Sequence, residues 1–323
     1  MSSNSIPTEL SDPSLKRLKR IFVGGVLLCA VIVLHLLFIS KTISSLYARA
    51  TLLPMLLWAL VVTTYAFHAE RERSRLAQEL QIAADIQLGL LPEKALETQM
   101  FEVGGMCHPA ERVGGDFFDY WLHNSRVCMV VADVTGHDLA SALLAASFRS
   151  VVRAESAHRT SVSEIAEGIN RVMYDDLVKS DLQITFCFGQ LDPDEKTFTY
   201  CSCGHPYPIK VGEDQVSWLK TGGLLLGVQR EAKYPEETVE LMPGDKVLMY
   251  TDGVIEATNR DETAFGAEGL RSAVRSAASH SAPELSQEIV REVREYSQRS
   301  KLRDDVTVLA AQIKPSDLSR QAI

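Results

Sequence analysis

No two cysteines in this chain are spaced as Cys-x-x-Cys, and the six present (Cys29, Cys107, Cys128, Cys187, Cys201 and Cys203) follow no regular interval. That excludes a disulfide framework, and the thiols read as small apolar residues of a reducing compartment. Basic charge is short too: 33 Lys and Arg against 42 Asp and Glu leave a formal net charge of −9. Such a balance lacks the basic footprint of general nucleic-acid binding, so no nucleic-acid partner is expected. Internal repeats and low-complexity stretches are missing as well. With 323 residues, the chain has room for one ordinary globular domain plus extra segments.

Near the N-terminus charge disappears altogether. Ile21–Ile39, "IFVGGVLLCAVIVLHLLFI", and Ala50–Phe67, "ATLLPMLLWALVVTTYAF", contain no Asp, Glu, Lys or Arg. Each is long enough to cross a hydrocarbon layer of about 30 Å. Buried helices of a soluble core would show a polar stripe. A cleaved signal peptide, suggested by Ala48-Arg49-Ala50, would have an overlong apolar core and would leave the second run in place. Lys16, Arg17, Lys19 and Arg20 precede the first run and Arg71, Arg73 and Arg75 follow the second, with only Lys41 and Arg49 between. By the positive-inside rule both ends face the cytoplasm, which predicts a multi-pass inner-membrane protein with the chain beyond the second run in the cytoplasm.

The expected organisation is a cytoplasmic tail over 1–20, two transmembrane helices over 21–68, a coiled-coil linker helix over 69–95, a folded domain over 96–313 and a tail over 314–323. The linker rests on "AERERSRLAQELQIAADIQLGLL", stopped by Pro92, in which Leu76, Leu80, Ala83, Gln87 and Leu90 follow a 4-3-4-3 spacing. That is the seam of a two-stranded coiled coil and predicts a homodimer. Ile82 and Ile86 widen the apolar band and are expected to press on the folded domain.

Beyond Pro92 short apolar runs alternate with turns. Strands are predicted at 127–134, 184–192, 198–203, 246–250 and 306–313, and helices at 139–155, 161–178, 267–278 and 283–299. Ser161 and Glu164 read as a capping box. Strands separated by paired helices indicate an α+β domain with mostly antiparallel sheets.

The chemistry lies in the carboxylates. "RVGGDFFDYW" places Asp116 and Asp119 behind two glycines; Asp133 ends "VCMVVAD", Asp252 ends "KVLMYTD", and Asp304 and Asp305 open "DDVTVLAAQI". Turns and strand ends favour Asp anyway, so one such residue says little. Four sites at strand ends point to a shared metal site, and oxygen-only ligands favour Mg²⁺ or Mn²⁺ over zinc.

Together "VGGDFFDY", "VADVTGHDLASALLAA", "CGHPYPI", "GGLLLGV", "LMPGDKVLMYTDGVIEATN" and "DDVTVL" resemble, in order, the motifs of the metal-dependent protein phosphatases. They look most like the bacterial branch of the sporulation protein SpoIIE and the stress-response activator RsbU, over about 100–313. The resemblance implies a phosphatase-type β-sandwich flanked by helices, with two Mn²⁺ or Mg²⁺ ions at one sheet edge. By position Asp133 would bridge both ions and Val134 would offer its carbonyl. Asp252 and Asp304 would complete the shells, Asp116 would hold an ion directly or through water, and Asp119 would support it. His137 would donate a proton to the leaving oxygen or stabilise its turn. The implied function is a membrane-anchored serine/threonine phosphoprotein phosphatase in bacterial signalling, acting on an anti-sigma-factor antagonist or similar protein. The alternative is a catalytically inactive phosphatase-like domain used as a binding module.

The chain departs from the family pattern at Asp138, where glycine is usual, and at Leu225, where proline is usual. The phosphate-binding arginine of eukaryotic relatives has no clear match, although Arg112 lies near. No cysteine has an arginine six positions on, which excludes a cysteine-phosphatase loop. "GGDFF" also resembles a diguanylate cyclase signature, but too few residues separate Pro92 from Gly114 for a nucleotide-binding half. A zinc site from Cys201, Cys203 and His205 lacks a fourth ligand of suitable spacing.

Overall fold

The computed structural model describes residues 24, 25, 31, 34, 45–136, 138–213, 215–298 and 302–314. The predicted tail 1–20, most of the first apolar run and the tail after residue 314 lie outside the described residues. The chain divides into two compact units, Met1–Ile82 and Ala83–Ile323.

In the first unit the second apolar run falls within a helix, α1 (Ser45–Leu90), which continues to its end in the second unit. Along it Met55, Leu57, Trp58, Leu60, Val61 and Tyr65 are exposed. Among the described residues no helix is long and apolar enough to cross a membrane.

The second unit holds two sheets. One has the order β1 (Leu96–Glu97), β2 (Phe101–His108), β12 (Val306–Ile313), β11 (Lys246–Tyr250), β7 (Ile209–Val211) and β8 (Val216–Trp218), antiparallel throughout. The other runs β10 (Glu237–Glu240), β6 (Thr197–Cys203), β5 (Ile184–Asp192), β4 (Arg126–Val134) and β3 (Phe117–His123), with β9 (Gly222–Gly223) pairing parallel to β6. Strand period 2 explains the layering. On β4, Met129 and Val131 join the core between the sheets, while Cys128, Val130 and Ala132 join the core under α2 (Leu139–His158) and α3 (Val162–Ser180). On β12, Leu309 and Ala311 face the intersheet core, and Val308 and Ala310 join the core with α4 (Gly253–Glu256), α5 (Gly266–Ser276) and α6 (Ala282–Ser297). A strand buried on both faces reads as a continuous apolar run, which is why these strands stood out in the sequence. The result is the α+β sandwich with flanking helices.

Two long strands, β2 and β3, escaped the sequence reading, as did the short β1, β7, β8, β9 and β10. β2 carries Gly104 and Gly105, where a β-carbon would meet the Pro283 ring at 2.7 Å and the Phe118 ring at 2.7 Å. The glycines break the apolar pattern because neighbouring layers press on the backbone there. β3 was hidden inside the "GGDFFDYW" motif. The capping box expected at Ser161 is only half formed. Ser161 Oγ accepts from the Glu164 N–H at 3.2 Å, but the Glu164 side chain does not accept the Ser161 N–H in return; Ser161 Oγ and the Ser163 N–H donate to Glu236 at 2.9 and 2.7 Å. The complete box lies at Ser281 and Glu284 on α6.

Candidate metal centre

Antiparallel pairing gathers strand ends of opposite sense. Tyr250 at the end of β11 sits opposite Val308, and Val306 at the start of β12 sits opposite His108 at the end of β2. In the facing sheet, Phe117 at the start of β3 pairs with Ala132 near the end of β4. Asp133 is the penultimate residue of β4, and the loops leaving these ends carry Asp116, Asp252, Asp304 and Asp305.

Asp116 is buried at 5% exposure, and its Oδ2 accepts a 2.7 Å hydrogen bond from Thr251 Oγ1. Thr251 Oγ1 in turn accepts from the Thr307 N–H at 3.1 Å, so one hydroxyl ties the aspartate to two strand ends. Asp305 organises the loop before Asp116: its Oδ1 accepts from Ala110 N–H at 2.7 Å and its Oδ2 from Asp116 N–H at 3.4 Å. The glycines make this possible. A β-carbon on Gly114 would overlap the Asp305 carboxylate, and one on Gly115 would overlap the Val134 carbonyl. Gly115 also accepts the Val134 N–H at 3.3 Å, which holds the two loops edge to edge.

Electrostatics mark this edge as strained. Burial, then the charges of Asp133 and Asp305, raise Asp116 well above the usual carboxylate range. Burial, followed by Asp252, Asp304, Asp305 and Glu256, pushes Asp133 up to about 7. Asp252 is raised by burial and by Asp304, and Asp305 by burial against its backbone donors. Among the described residues no ion pair reaches any of the five. Clustered carboxylates without a counter-charge repel one another, and a hard divalent cation relieves that repulsion. An all-oxygen donor set suits Mg²⁺ or Mn²⁺. As placed, no three His, Cys, Asp or Glu side chains among the described residues converge closely enough to hold an ion.

The structure therefore brings Asp116, Asp133, Asp252 and Asp304 to one edge, with the Val134 carbonyl against Gly115. His137 lies outside the described residues. Asp138 caps α2, its Oδ1 accepting from the Ala140 and Ser141 N–H groups at 3.0 Å each. Asp119 does not support a metal. It lies on β3, fully buried, paired with Arg149 at 2.8 Å and Arg153 at 2.7 Å on α2. The position three residues beyond Asp116 carries it along β3, away from the acidic edge.

The linker helix also differs from expectation. Ile82 and Ile86 are exposed at 60% and 63%, and Ala84 packs with Val113 and Ala142 instead. Gln87, expected on a dimer seam, bonds the glycine loop: Nε2 donates to Gly114 O at 2.6 Å and Oε1 accepts from Gly114 N at 3.2 Å. Small residues let the helix end approach closely, which a search for large apolar residues overlooks. Asp305 and Thr251 were missed as organisers because their partners are backbone groups and residues far away in sequence. Cys201 and Cys203 are buried with sulfurs 3.7 Å apart, and His205 bonds Thr185 Oγ1 at 2.8 Å, a packing arrangement and not a zinc site.

Residues 123–314, more than half of the chain, match the family model described as Stage II sporulation protein E (SpoIIE); Asp116 precedes the matched stretch. The phosphoserine phosphatase RsbU of Bacillus subtilis is 26% identical over 197 residues, 60% of this chain and 57% of that protein. The chain spans about half the length of the curated relatives it matches. Among solved structures, the SiaA-PP2C domain of Pseudomonas aeruginosa superposes with a TM-score of 0.67 at 21% identity, over 75% of this chain and 99% of that one. RsbX in complex with magnesium superposes with a TM-score of 0.51 at 20% identity, over 68% and 99%. At these identities both likenesses speak for the fold.

Proposed function

The chain belongs to the Stage II sporulation protein E (SpoIIE) family, and on that premise we propose that it is a metal-dependent serine/threonine phosphoprotein phosphatase. The observation that carries this reading is the acidic edge, where carboxylates from four chain segments raise the pKa of Asp116, Asp133, Asp252 and Asp305 with no ion pair to them among the described residues. Asp133, Asp252 and Asp304, with Asp116 and the Val134 carbonyl, would hold two Mn²⁺ or Mg²⁺ ions. When bound, such ions supply Lewis acidity toward phosphate and water. The chain's own residues set the edge: Thr251 fixes one oxygen of Asp116, Asp305 holds the 110–116 loop by its N–H groups, and Gly115 admits the Val134 carbonyl. For His137 the reading is proton donation to the departing serine or threonine oxygen, with stabilisation of its turn as the alternative.

The phosphoserine activity in RsbU's name favours phosphoserine, and an anti-sigma-factor antagonist or a similar phosphoprotein is the proposed substrate. Residues 21–39 and 50–67 are read as two spans of an inner-membrane protein whose catalytic unit is cytoplasmic. The support is the charge-free sequence and the exposed apolar side chains of α1. Leu76 and Leu80, exposed on α1, remain the proposed dimer seam.

The test is Mn²⁺-dependent hydrolysis of an aryl phosphate and a phosphoserine peptide by the full chain. Asp133→Asn and Asp252→Asn should each lower turnover on the order of a hundredfold or more. A wild-type protein inert on both substrates with Mn²⁺ and Mg²⁺ would favour the binding-module reading. A reporter active only outside the cytoplasm should work when fused at Ser45 and be silent at Glu97; the reverse refutes the topology.

A further inference from the structure

At the opposite end of β4 from Asp133 lies a cavity of about 560 Å³, lined among others by His123, Asn124, Arg126, Arg159 and Gln190. Arg126 and Asp133 are seven residues apart on one strand, roughly 23 Å at ~3.3 Å per residue, so the cavity is separate from the acidic edge. We propose that this cavity binds a small phosphorylated ligand, up to about the size of a nucleoside monophosphate.

The argument is a count of donors against acceptors. A guanidinium carries five N–H donors in a planar fork. Arg126 uses Nε and Nη2 on Asp192 Oδ2, both at 2.8 Å, which leaves Nη1. Arg159 pairs with Glu155 through Nη1, which leaves Nε and Nη2. Gln190 is 94% buried by its 6% exposure, and the described partner of its amide nitrogen is the Cys128 sulfur at 3.8 Å, a weak acceptor. The neighbouring carboxylate of Asp192 is already committed, with Oδ1 accepting from Asp194 and Glu195 N–H and Oδ2 from Arg126. Two arginine forks with N–H groups beyond these pairs thus line the cavity beside a buried amide whose described donor contact is weak. A ligand rich in acceptor oxygens completes the set, and arginine forks fit phosphate oxygens in pairs. The Gln190 amide and the Asn124 carbonyl suit donor and acceptor atoms on a ring attached to that phosphate, the Asn124 Nδ2 being bonded to His123 Nε2 at 2.9 Å. The volume lies in the range of small-molecule sites.

The hairpin at the rim gives independent support. Asn124 and Ser125 both adopt left-handed backbone, with φ of 48° and 67°. Such a two-residue turn favours Asn followed by Gly, so serine in the second place is held in an uncommon conformation, as often occurs at binding sites.

The experiment is calorimetric titration of the full chain in chelator, so that no divalent ion draws phosphate to the acidic edge, with AMP, inorganic phosphate and adenosine as probes. Binding of AMP at least about tenfold tighter than adenosine is expected, with Arg159→Gln and Gln190→Leu each weakening it about fivefold or more. If Gln190→Leu does not fold, Arg126→Gln takes its place. AMP binding tighter than inorganic phosphate assigns the site to a phosphate ester; equal binding assigns it to the phosphate group itself, and both outcomes carry the proposal. No binding of either up to about 10 mM, or binding that survives both substitutions, overturns it.

Discussion

The Asp305 carboxylate occupies the space where Gly114 would carry a β-carbon, and from there it accepts the N–H groups of Ala110 and Asp116. The aspartate after the two glycines is thus placed by another aspartate nearly two hundred residues later in the chain. The glycines serve this contact: a side chain on either would push the loop off the edge.

Gly115→Ala should therefore damage the site more than the fold. Its β-carbon overlaps the Val134 carbonyl, and overpacking of this kind costs about 1–3 kcal/mol. Mn²⁺ titrations of phosphatase activity should show a weaker apparent metal affinity, at a modest fall in melting temperature. Unchanged metal affinity would mean that the loop tolerates the displacement.

In chelator, stability should fall as pH rises. Asp133 titrates near 7 in the folded chain against an ordinary value near 3.8, so the folded state binds the extra proton between those pH values. Its stabilising contribution is complete below about 3.8 and is lost as pH rises through about 7. Thermal melts at pH 5 and 8 should show the drop, Asp133→Asn should shrink it, and added Mn²⁺ should restore stability at pH 8. A pH-independent melting temperature would contradict the repulsion between the carboxylates.

Asp119→Ala should be destabilising, by roughly 3 kcal/mol, the low end for breaking a buried ion pair because both arginines are partly exposed. Urea unfolding measures it, and the surviving folded protein should keep its metal response. A loss of metal affinity at unchanged stability would return Asp119 to the acidic edge.

Gln87→Ala removes both hydrogen bonds to Gly114, at a cost of about 1–3 kcal/mol. The Mn²⁺ concentration for half-maximal activity should rise. Gln87→Glu keeps the acceptor and loses the donor, so its effect should be at least as large, since a carboxylate then faces the Gly114 carbonyl.

What was legible in the sequence follows from burial. β4, β5 and β12 are covered on both faces, so their apolar runs declared themselves, and with them Asp133 near the end of β4 and Asp304 and Asp305 just before β12. β2 was hidden because Gly104 and Gly105 make room for Pro283 and Phe118, a demand visible only once the layers are stacked. Asp116 and Asp119 looked alike as residues three apart beside glycines. Nothing local separates an aspartate bonded to Thr251 from one paired with two arginines of another helix. Gln87 satisfied a heptad pattern and a loop contact equally well, and only the neighbouring Ala84 against Val113 decides between them.

The pairing of Asp119 with Arg149 and Arg153 has a mechanical consequence. The two arginines stand one turn apart on α2, and their shared anchor lies inside β3. At its other end α2 begins on the Asp138 cap. Sliding or rotating this helix would strand a charge with no access to water, so α2 behaves as a fixed strut across the second sheet. The described bonds of Asp305 and Gln87 to the 110–116 loop are hydrogen bonds to its backbone, two accepted by the Asp305 carboxylate and two exchanged between Gln87 and Gly114. Adjustment of the acidic edge has to come from the loop side, against a helix that does not give.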